Sequence, residues 1–180
     1  MSRSRRAGTN AIQLFLILAG FVLLAYYLTV SLTSRDFLWF VRRFQDEAAR
    51  IVVYQSGQAA EYLPGQPGYD ELASAVKTSL AEGFARLTST GFSAQTLQDA
   101  YAQQVTLEVF FAQPIEIHTW FPTGRTTQVL FPVTGPHAEP PIVLLGDKGK
   151  YRAGAPVLNS NEPILEALEA LGVDWQLPAD

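Results

Sequence analysis

The chain has 180 residues, no cysteine and a formal net charge of −4. The missing cysteine excludes disulfides, thiolate metal sites and a cysteine nucleophile. The charge is unevenly divided: residues 1–50 carry a net +4, all of its bases being arginine, and residues 51–180 carry a net −8. An acidic main domain argues against a nucleic-acid partner, whose phosphates demand a basic face. A membrane explains the basic end better.

The strongest signal is a stretch of 22 residues without a charge, from Ala11 to Leu32. An α-helix of that length spans about 33 Å, enough for a hydrocarbon core of about 30 Å. A secretory signal has an apolar region of only about 7–15 residues, and "YYLTVSLTS" lacks a clear small-residue cleavage site. The stretch predicts a transmembrane signal anchor over residues 11–32, after a basic cytoplasmic tail over residues 1–10.

Arginines flank this span on both sides and suggest its direction; they are Arg3, Arg5, Arg6, Arg35, Arg42 and Arg43. The first three are denser and closer to the helix, and nearby acids count little in the positive-inside rule. We therefore predict a single-pass protein of the cell membrane, with a cytoplasmic N-terminus and an extracytoplasmic α+β domain over residues 51–180.

The segment after the span, "RDFLWFVRRFQDEAAR", has apolar residues at helical spacing: Phe37, Val41, Phe44 and Ala48. The spacing predicts an amphipathic juxtamembrane helix over residues 33–50. Aromatic rings suit the membrane interface, and arginines reach lipid headgroups. Four residues are therefore candidate contacts with lipid or with a neighbouring subunit: Trp39, Phe40, Arg42 and Arg43. The alternative is a plain helical stalk.

The outer domain opens with "RIVVYQSGQAAEYLPG", which predicts a hairpin with its turn at Ser56–Gly57–Gln58. Asp70 is expected to cap a helix with one apolar stripe: Leu72, Val76, Leu80, Phe84 and Leu87. Ser93 is expected to cap a shorter helix that carries Leu97 and Tyr101.

About five strands and a last helix follow in the sequence. Apolar residues alternate from Val105 to Phe111, and Ile115 and Ile117 continue the alternation beyond Pro114. "TTQVLFPV" is another strand, "IVLLGDKGKYRAG" a hairpin and "NSNEPILEALEALG" a helix. Short connections predict an α+β fold, with one domain whose mainly antiparallel sheet is packed against helices on one face.

Glu116 and His118 lie two residues apart in this predicted strand, so they share a face with Trp120 and with Glu108 of the preceding strand. The two isoleucines would then fill the core face. A Glu-x-His pair on the wet side of a sheet is usually plain surface, so no catalytic residue is assigned. The alternative is a hydrolase that uses Glu116 and His118.

A metal site would need ligands that the spacing brings together. His137 lies in a proline-rich loop, and nothing in the sequence forces it near His118. No G-x-S-x-G elbow, G-x-G-x-x-G or P-loop motif occurs in the sequence. We therefore predict neither a metal nor a cofactor, and a protein that is not an enzyme.

"TWFPTGR" places Trp120 and Arg125 around one predicted turn. Exposed aromatic residues beside arginine are typical of recognition surfaces, which makes both residues candidate partner contacts. The alternative is that Trp120 packs in the core.

The sequence as a whole favours a single-span membrane protein with a non-enzymatic extracytoplasmic interaction domain, serving as an accessory or regulatory subunit of a membrane or envelope complex. Its predicted partners are membrane lipids and a protein in or at the membrane. The alternatives are the anchored hydrolase and an anchored small-ligand sensor with a pocket between the sheet and its helices.

Overall fold

A computed structural model describes residues 3–175. One long N-terminal helix, α1 (Arg3–Ser34), leads into a mixed α+β domain. The remaining elements are β1 (Arg50–Gln55), β2 (Gln58–Tyr62), α2 (Tyr69–Ala81), β3 (Phe84–Leu87), α3 (Ala94–Gln103), β4 (Val105–Phe110), β5 (Gln128–Pro132), β6 (Leu144–Asp147), β7 (Lys150–Tyr151), β8 (Pro156–Leu158) and α4 (Glu162–Ala170).

Helix α1 contains a segment, Asn10–Ser34, that is long and apolar enough to span a membrane. Its most apolar part is not buried against the rest of the protein. Large apolar side chains therefore cover an exposed helix surface, which water does not favour. The predicted helix over residues 11–32 forms, and its place in a membrane stays a prediction.

The main sheet has six strands in the order β2-β1-β4-β5-β6-β7, and all neighbours are antiparallel. Strands β1 and β2 form the predicted hairpin, in which Gln55 pairs with Gln58. The two residues between them, Ser56 and Gly57, have φ of 48° and 80°. Positive φ at both positions is the geometry of a tight two-residue hairpin turn.

Helices lie on both faces of this sheet, so the prediction of helices on one face is wrong. Helices α2 and α4 pack together over the face that carries Ile51, Leu107 and Val129. Helix α3 covers the opposite face, where Leu97 and Tyr101 pack against a second apolar cluster. The alternation in β4 suggested one wet face, but all of Val105–Val109 is buried because α3 shields the polar positions too.

Helix α2 is shorter than its apolar stripe predicted. It ends at Ala81, Gly83 follows with φ of 82°, and Phe84–Leu87 forms strand β3, which pairs with β8. A left-handed residue ends a helix, and glycine adopts that conformation without strain. Asp70 does not cap the helix, because Gly68 holds that position and Asp70 lies in the first turn.

The predicted helix over residues 33–50 does not form beyond α1. Residues 37–40 make a turn, and residues 41–48 are irregular. Phe44 and Ala48 are buried in the core, and the Phe44 ring meets Phe111 edge-on at 5.9 Å. Tertiary packing therefore buries two of the four apolar positions, Phe44 and Ala48, without a helix, and Phe37 stays exposed.

The predicted strand through Ile115 and Ile117 is also absent, since residues 112–127 form a loop. Both isoleucines are nevertheless buried in the main core. A hydrogen bond of 2.8 Å from the Ile115 N–H to the Thr126 carbonyl joins two parts of this loop. Alternation of buried and less buried residues therefore persists without strand pairing.

Candidate functional site

Two polar residues of the sequence analysis, Glu116 and His118, lie near the end of α1. We call this region the junction; it comprises residues 33–40 and the facing loop residues 115–124. Arg35 ends the helix with φ of 60°, and the Asp36 N–H donates to the Ser31 carbonyl at 3.2 Å. The chain direction reverses at this point because a left-handed residue follows the last helical turn.

Residues 37–40 fold back onto the last turns of α1. The Tyr27 hydroxyl donates to the Phe37 carbonyl at 3.0 Å. The Trp39 ring meets Tyr26 edge-on at 6.0 Å, and the Phe40 ring meets Tyr27 at 6.2 Å. Trp39 and Phe40 also contact each other at 5.8 Å. Edge-on aromatic pairs at these distances are attractive, so the turn is fixed against the helix.

The Asp36 carboxylate joins the helix end to the outer domain. It accepts hydrogen bonds from the Leu38 N–H at 2.7 Å and from the Thr119 N–H at 3.1 Å. Its Oδ2 atom also lies 3.1 Å from Nδ1 of His118. Both side chains of the Asp36–His118 pair are about four-fifths buried. Hydrogen bonds to a carboxylate are stronger than neutral ones, so this group fixes the domain relative to α1.

A cleft of about 750 Å³ opens at the junction. Its polar lining includes Arg35, Asp36, Glu116 and His118, and its apolar lining includes Leu38. Glu116 is exposed, and its backbone N–H donates to the Asp46 carboxylate at 3.1 Å. Glu116 and His118 therefore do share one surface, as the sequence predicted, although a loop positions them.

The predicted Trp120 and Arg125 surface is only partly assembled. Trp120 is 46% exposed and packs edge-on against the buried Phe121 ring at 5.2 Å. Arg125 instead faces Asp147, with 3.7 Å between Nε and the carboxylate. The Arg152 guanidinium donates to the Arg125 carbonyl and so holds that turn in place. Trp120 is thus available to a partner, and the Arg125 side chain is 66% exposed while it faces Asp147.

A second polar cluster, which sequence reasoning missed, lies between the sheet and α3. Glu108 is 5% exposed, and three tyrosines donate to its carboxylate. The Tyr54 hydroxyl lies 3.0 Å from Oε2, the Tyr101 hydroxyl lies 3.1 Å from Oε1, and the Tyr151 hydroxyl also donates to Oε1. The sequence placed Glu108 on the wet face with Glu116, and that expectation is wrong because α3 covers it.

Burial and the neighbouring carboxylate keep these phenols protonated. Burial first, and then the Glu108 charge, raises the pKa of Tyr54 to about 12. The same two causes raise the pKa of Tyr101 and of Tyr151. A phenolate beside a buried carboxylate is disfavoured by both desolvation and repulsion. The cluster is therefore a satisfied buried network whose chemistry is that of neutral donors on one acceptor.

The histidines do not converge on a metal site. His137 packs against the Phe92 ring at 4.6 Å, whereas His118 faces Asp36. Within residues 3–175, no group of three or more His, Cys, Asp or Glu side chains is arranged to hold a metal ion.

Comparison with known proteins finds no match: no family model, curated protein or solved structure is similar to this chain.

Proposed function

We propose that this protein is a single-span, membrane-anchored interaction protein without enzymatic activity, an accessory or regulatory subunit of a membrane or envelope complex. Its N-terminus lies in the cytoplasm and its domain outside. The observation that supports the proposal most is the junction, where the exposed apolar helix α1 is fixed to the domain through Asp36. A partner that contacts the helix in the membrane can thereby set the position of the domain.

Two further features support an interaction role. The half-exposed ring of Trp120 lies on the same loop as His118, at the end of the domain nearest α1, and such rings are often anchor points of interfaces. The Asp36 carboxylate already accepts two backbone N–H groups besides its contact with His118, which is typical of a structural group.

Co-purification of the full chain from its native membrane in mild detergent tests the proposal. We expect a stoichiometric protein partner with the wild-type chain and its loss with Trp120→Ala. Lys150→Ala, an exposed substitution on strand β7, is the matched control and should retain the partner. A wild-type chain that is recovered as a clean monomer contradicts the proposal.

A membrane-anchored hydrolase is the second candidate, and the junction cleft is the observation that favours it. His118 presents Nδ1 to Asp36, the arrangement that orients an imidazole to act as a general base through Nε2. Glu116 lies in the same cleft. Chromogenic ester and phosphate substrates test this candidate. Turnover by the wild-type chain would favour the hydrolase if His118→Gln abolishes it and the exposed control Glu139→Gln leaves it intact. No turnover by the folded wild-type chain would count against it.

The same cleft bears on the third candidate, an anchored small-ligand sensor. Its volume of about 750 Å³ lies within the range of about 300–1,000 Å³ that ligand sites occupy. It lies at the junction and not between the sheet and its helices, where a sensor pocket was expected. A ligand bound there would contact both α1 and the domain.

A further inference from the structure

We propose that residues 37–40, which we call the fold-back turn, enter the lipid interface beside α1, so that the outer domain rests directly on the membrane surface. This inference rests on the proposed membrane anchoring of α1. The exposed apolar side chains of the turn then contact lipid, at the boundary between the headgroups and the acyl chains of the leaflet next to the domain.

The contacts of the turn fix its position along the axis of α1. Its rings meet Tyr26 and Tyr27, which lie eight and seven residues before the helix end at Ser34. At 1.5 Å per residue, the turn reaches about 10–12 Å back along the helix axis. Tyr27 lies five residues before Leu32, the last residue of the charge-free stretch, and is therefore about 8 Å inside its end. Interfacial elements bury their apolar face to a similar depth, about 5–10 Å.

The turn presents apolar side chains that the rest of the protein leaves uncovered. Phe37, Leu38 and Phe40 are 57%, 49% and 58% exposed. They continue the exposed apolar surface of α1, to which the turn is attached by ring contacts. Because a lipid that surrounds α1 at this depth meets the turn as well, lipid is the occupant that the geometry favours.

Part of the backbone of the turn is hydrogen-bonded within the protein. Backbone groups in the membrane need internal partners, because lipid tails offer none. The Leu38 N–H donates to the Asp36 carboxylate at 2.7 Å, and the Val41 N–H donates to the Leu38 carbonyl at 2.7 Å. The Phe37 carbonyl accepts the Tyr27 hydroxyl. These three backbone groups therefore have partners within the protein, whereas the buried Trp39 indole N–H has none among the described residues.

The residues on either side of the turn have the chemistry of the headgroup region. Arg35 precedes it and Arg42 and Arg43 follow it, and all three are exposed. Long arginine side chains extend to lipid phosphates while their stems stay in the apolar layer. Trp39 adds the ring that is typical of membrane interfaces.

The absence of cysteine gives a direct test, since one introduced cysteine is the only labelling site in the chain. We would attach a spin label at Leu38→Cys in the full chain, reconstituted in vesicles of phosphatidylcholine and phosphatidylglycerol. Leu18→Cys, within the apolar helix, is the control for the bilayer core, and Glu166→Cys, exposed on α4, is the control for water. Collision rates with oxygen and with a water-soluble nickel chelate report the depth of each label.

The label at position 38 is expected to collide more with oxygen than with the nickel chelate, at a depth between those of the two controls. A label at 38 as accessible to nickel as the label at 166, with the label at 18 in the bilayer, overturns this inference and leaves the anchor standing. A label at 38 shielded from both reagents also overturns it, because protein then covers the turn. A water-exposed label at 18 overturns the proposed anchor itself.

A second variant guards against local disturbance by the label. Phe37→Cys places the probe on the neighbouring exposed side chain, and it should report the same interfacial depth. Water exposure at either position in a folded protein overturns the inference.

Discussion

At the scale of single residues, two carboxylates have different surroundings and different consequences. Asp36 accepts backbone N–H groups at the edge of the domain, whereas Glu108 accepts phenol hydroxyls in its interior. Removing a carboxylate from water is costly unless its oxygens find donors. Both groups find them, and the donors differ because Asp36 lies in a loop and Glu108 lies between a sheet and a helix.

Loss of the Asp36 carboxylate should loosen the junction. Asp36→Ala leaves the Thr119 N–H and the His118 ring without their acceptor. We expect the free energy of unfolding to fall by about 1–3 kcal/mol, the usual cost of an unpaired polar group that is largely buried. Urea denaturation of the full chain in detergent micelles measures it. Glu116→Ala is the control, and its expected effect is within about 0.5 kcal/mol because that side chain is exposed.

The tyrosines around Glu108 should each contribute to stability through one hydroxyl. Tyr151→Phe removes a hydrogen bond to Oε1 and keeps the ring. Hydrogen bonds to charged groups contribute about 1.5–3 kcal/mol, and we expect a loss in the lower part of that range because Tyr101 still donates to the same oxygen. Thermal unfolding followed by circular dichroism tests this. Tyr62→Phe, which has no described hydroxyl partner, should unfold like the wild type.

Neither cluster is predictable from the residues themselves. His118 lies 82 positions from Asp36 in the chain, and Tyr54 lies 54 positions from Glu108. The pattern around Glu108 alternates as it would with a solvent-facing side. Only the packing of α3 decides that this side is covered, and a local pattern carries no information about that packing.

At the scale of elements, the ends of the helices show where local patterns succeed and where they fail. Ser93 caps α3 as predicted, since its hydroxyl accepts the Thr96 N–H at 3.0 Å. The apolar stripe of α2, in contrast, continues through Phe84 while the helix stops at Ala81. Phe84 is apolar at the right spacing because its half-buried ring packs against the main core from strand β3, whose other residues are exposed. Two apolar positions at helical spacing do not distinguish a longer helix from such a strand.

Gly83 is the residue that permits this change of structure. Its φ of 82° is unfavourable for any residue with a Cβ, although a Cβ there would meet only Asn159 at an ordinary 3.7 Å. Gly83→Ala should therefore lower the free energy of unfolding by about 1–2 kcal/mol through the backbone alone. Gly83→Asn is the matched variant and should cost less, because asparagine tolerates the left-handed region. Equal losses in urea denaturation would contradict a backbone origin.

The Glu108 cluster joins β1, α3, β4 and β7, so its titration should affect the whole face of the sheet. The folded-state pKa of Tyr54 is raised to about 12. The protonated phenol therefore contributes stability that is complete below the ordinary pKa of about 10 and is lost as the pH rises through about 12.

We accordingly expect the urea midpoint to fall as the pH is raised from about 10 toward 12. Tyr54→Phe should show a smaller decrease over the same range because one titrating phenol is gone. An identical decrease in the variant would show that Tyr54 does not take part.

At the scale of the whole molecule, the junction determines how the domain is placed relative to α1. The fold-back turn and Asp36 hold the domain close to the end of the helix, where a flexible linker would have left it free. This arrangement is consistent with the proposed interaction role, because a rigid connection transmits the position of the helix to the domain.

The proposed orientation has its own prediction. With Glu166→Cys as the only thiol, a membrane-impermeant maleimide should label the protein in intact cells, because the proposed orientation puts the domain outside. Ser2→Cys in the basic tail should be labelled only after the cells are permeabilised. The reverse pattern would place the domain in the cytoplasm.

The sequence by itself determined the long apolar helix, the β1–β2 hairpin turn, the cap of α3 and the antiparallel pairing, because each follows from a run, a glycine or a spacing within a few residues. Tertiary structure alone decided that the segment after α1 folds back, that helices cover both faces of the sheet, and that Asp36 meets His118. These features depend on contacts between distant parts of the chain. Their free energy comes from packing and burial, which no local pattern records.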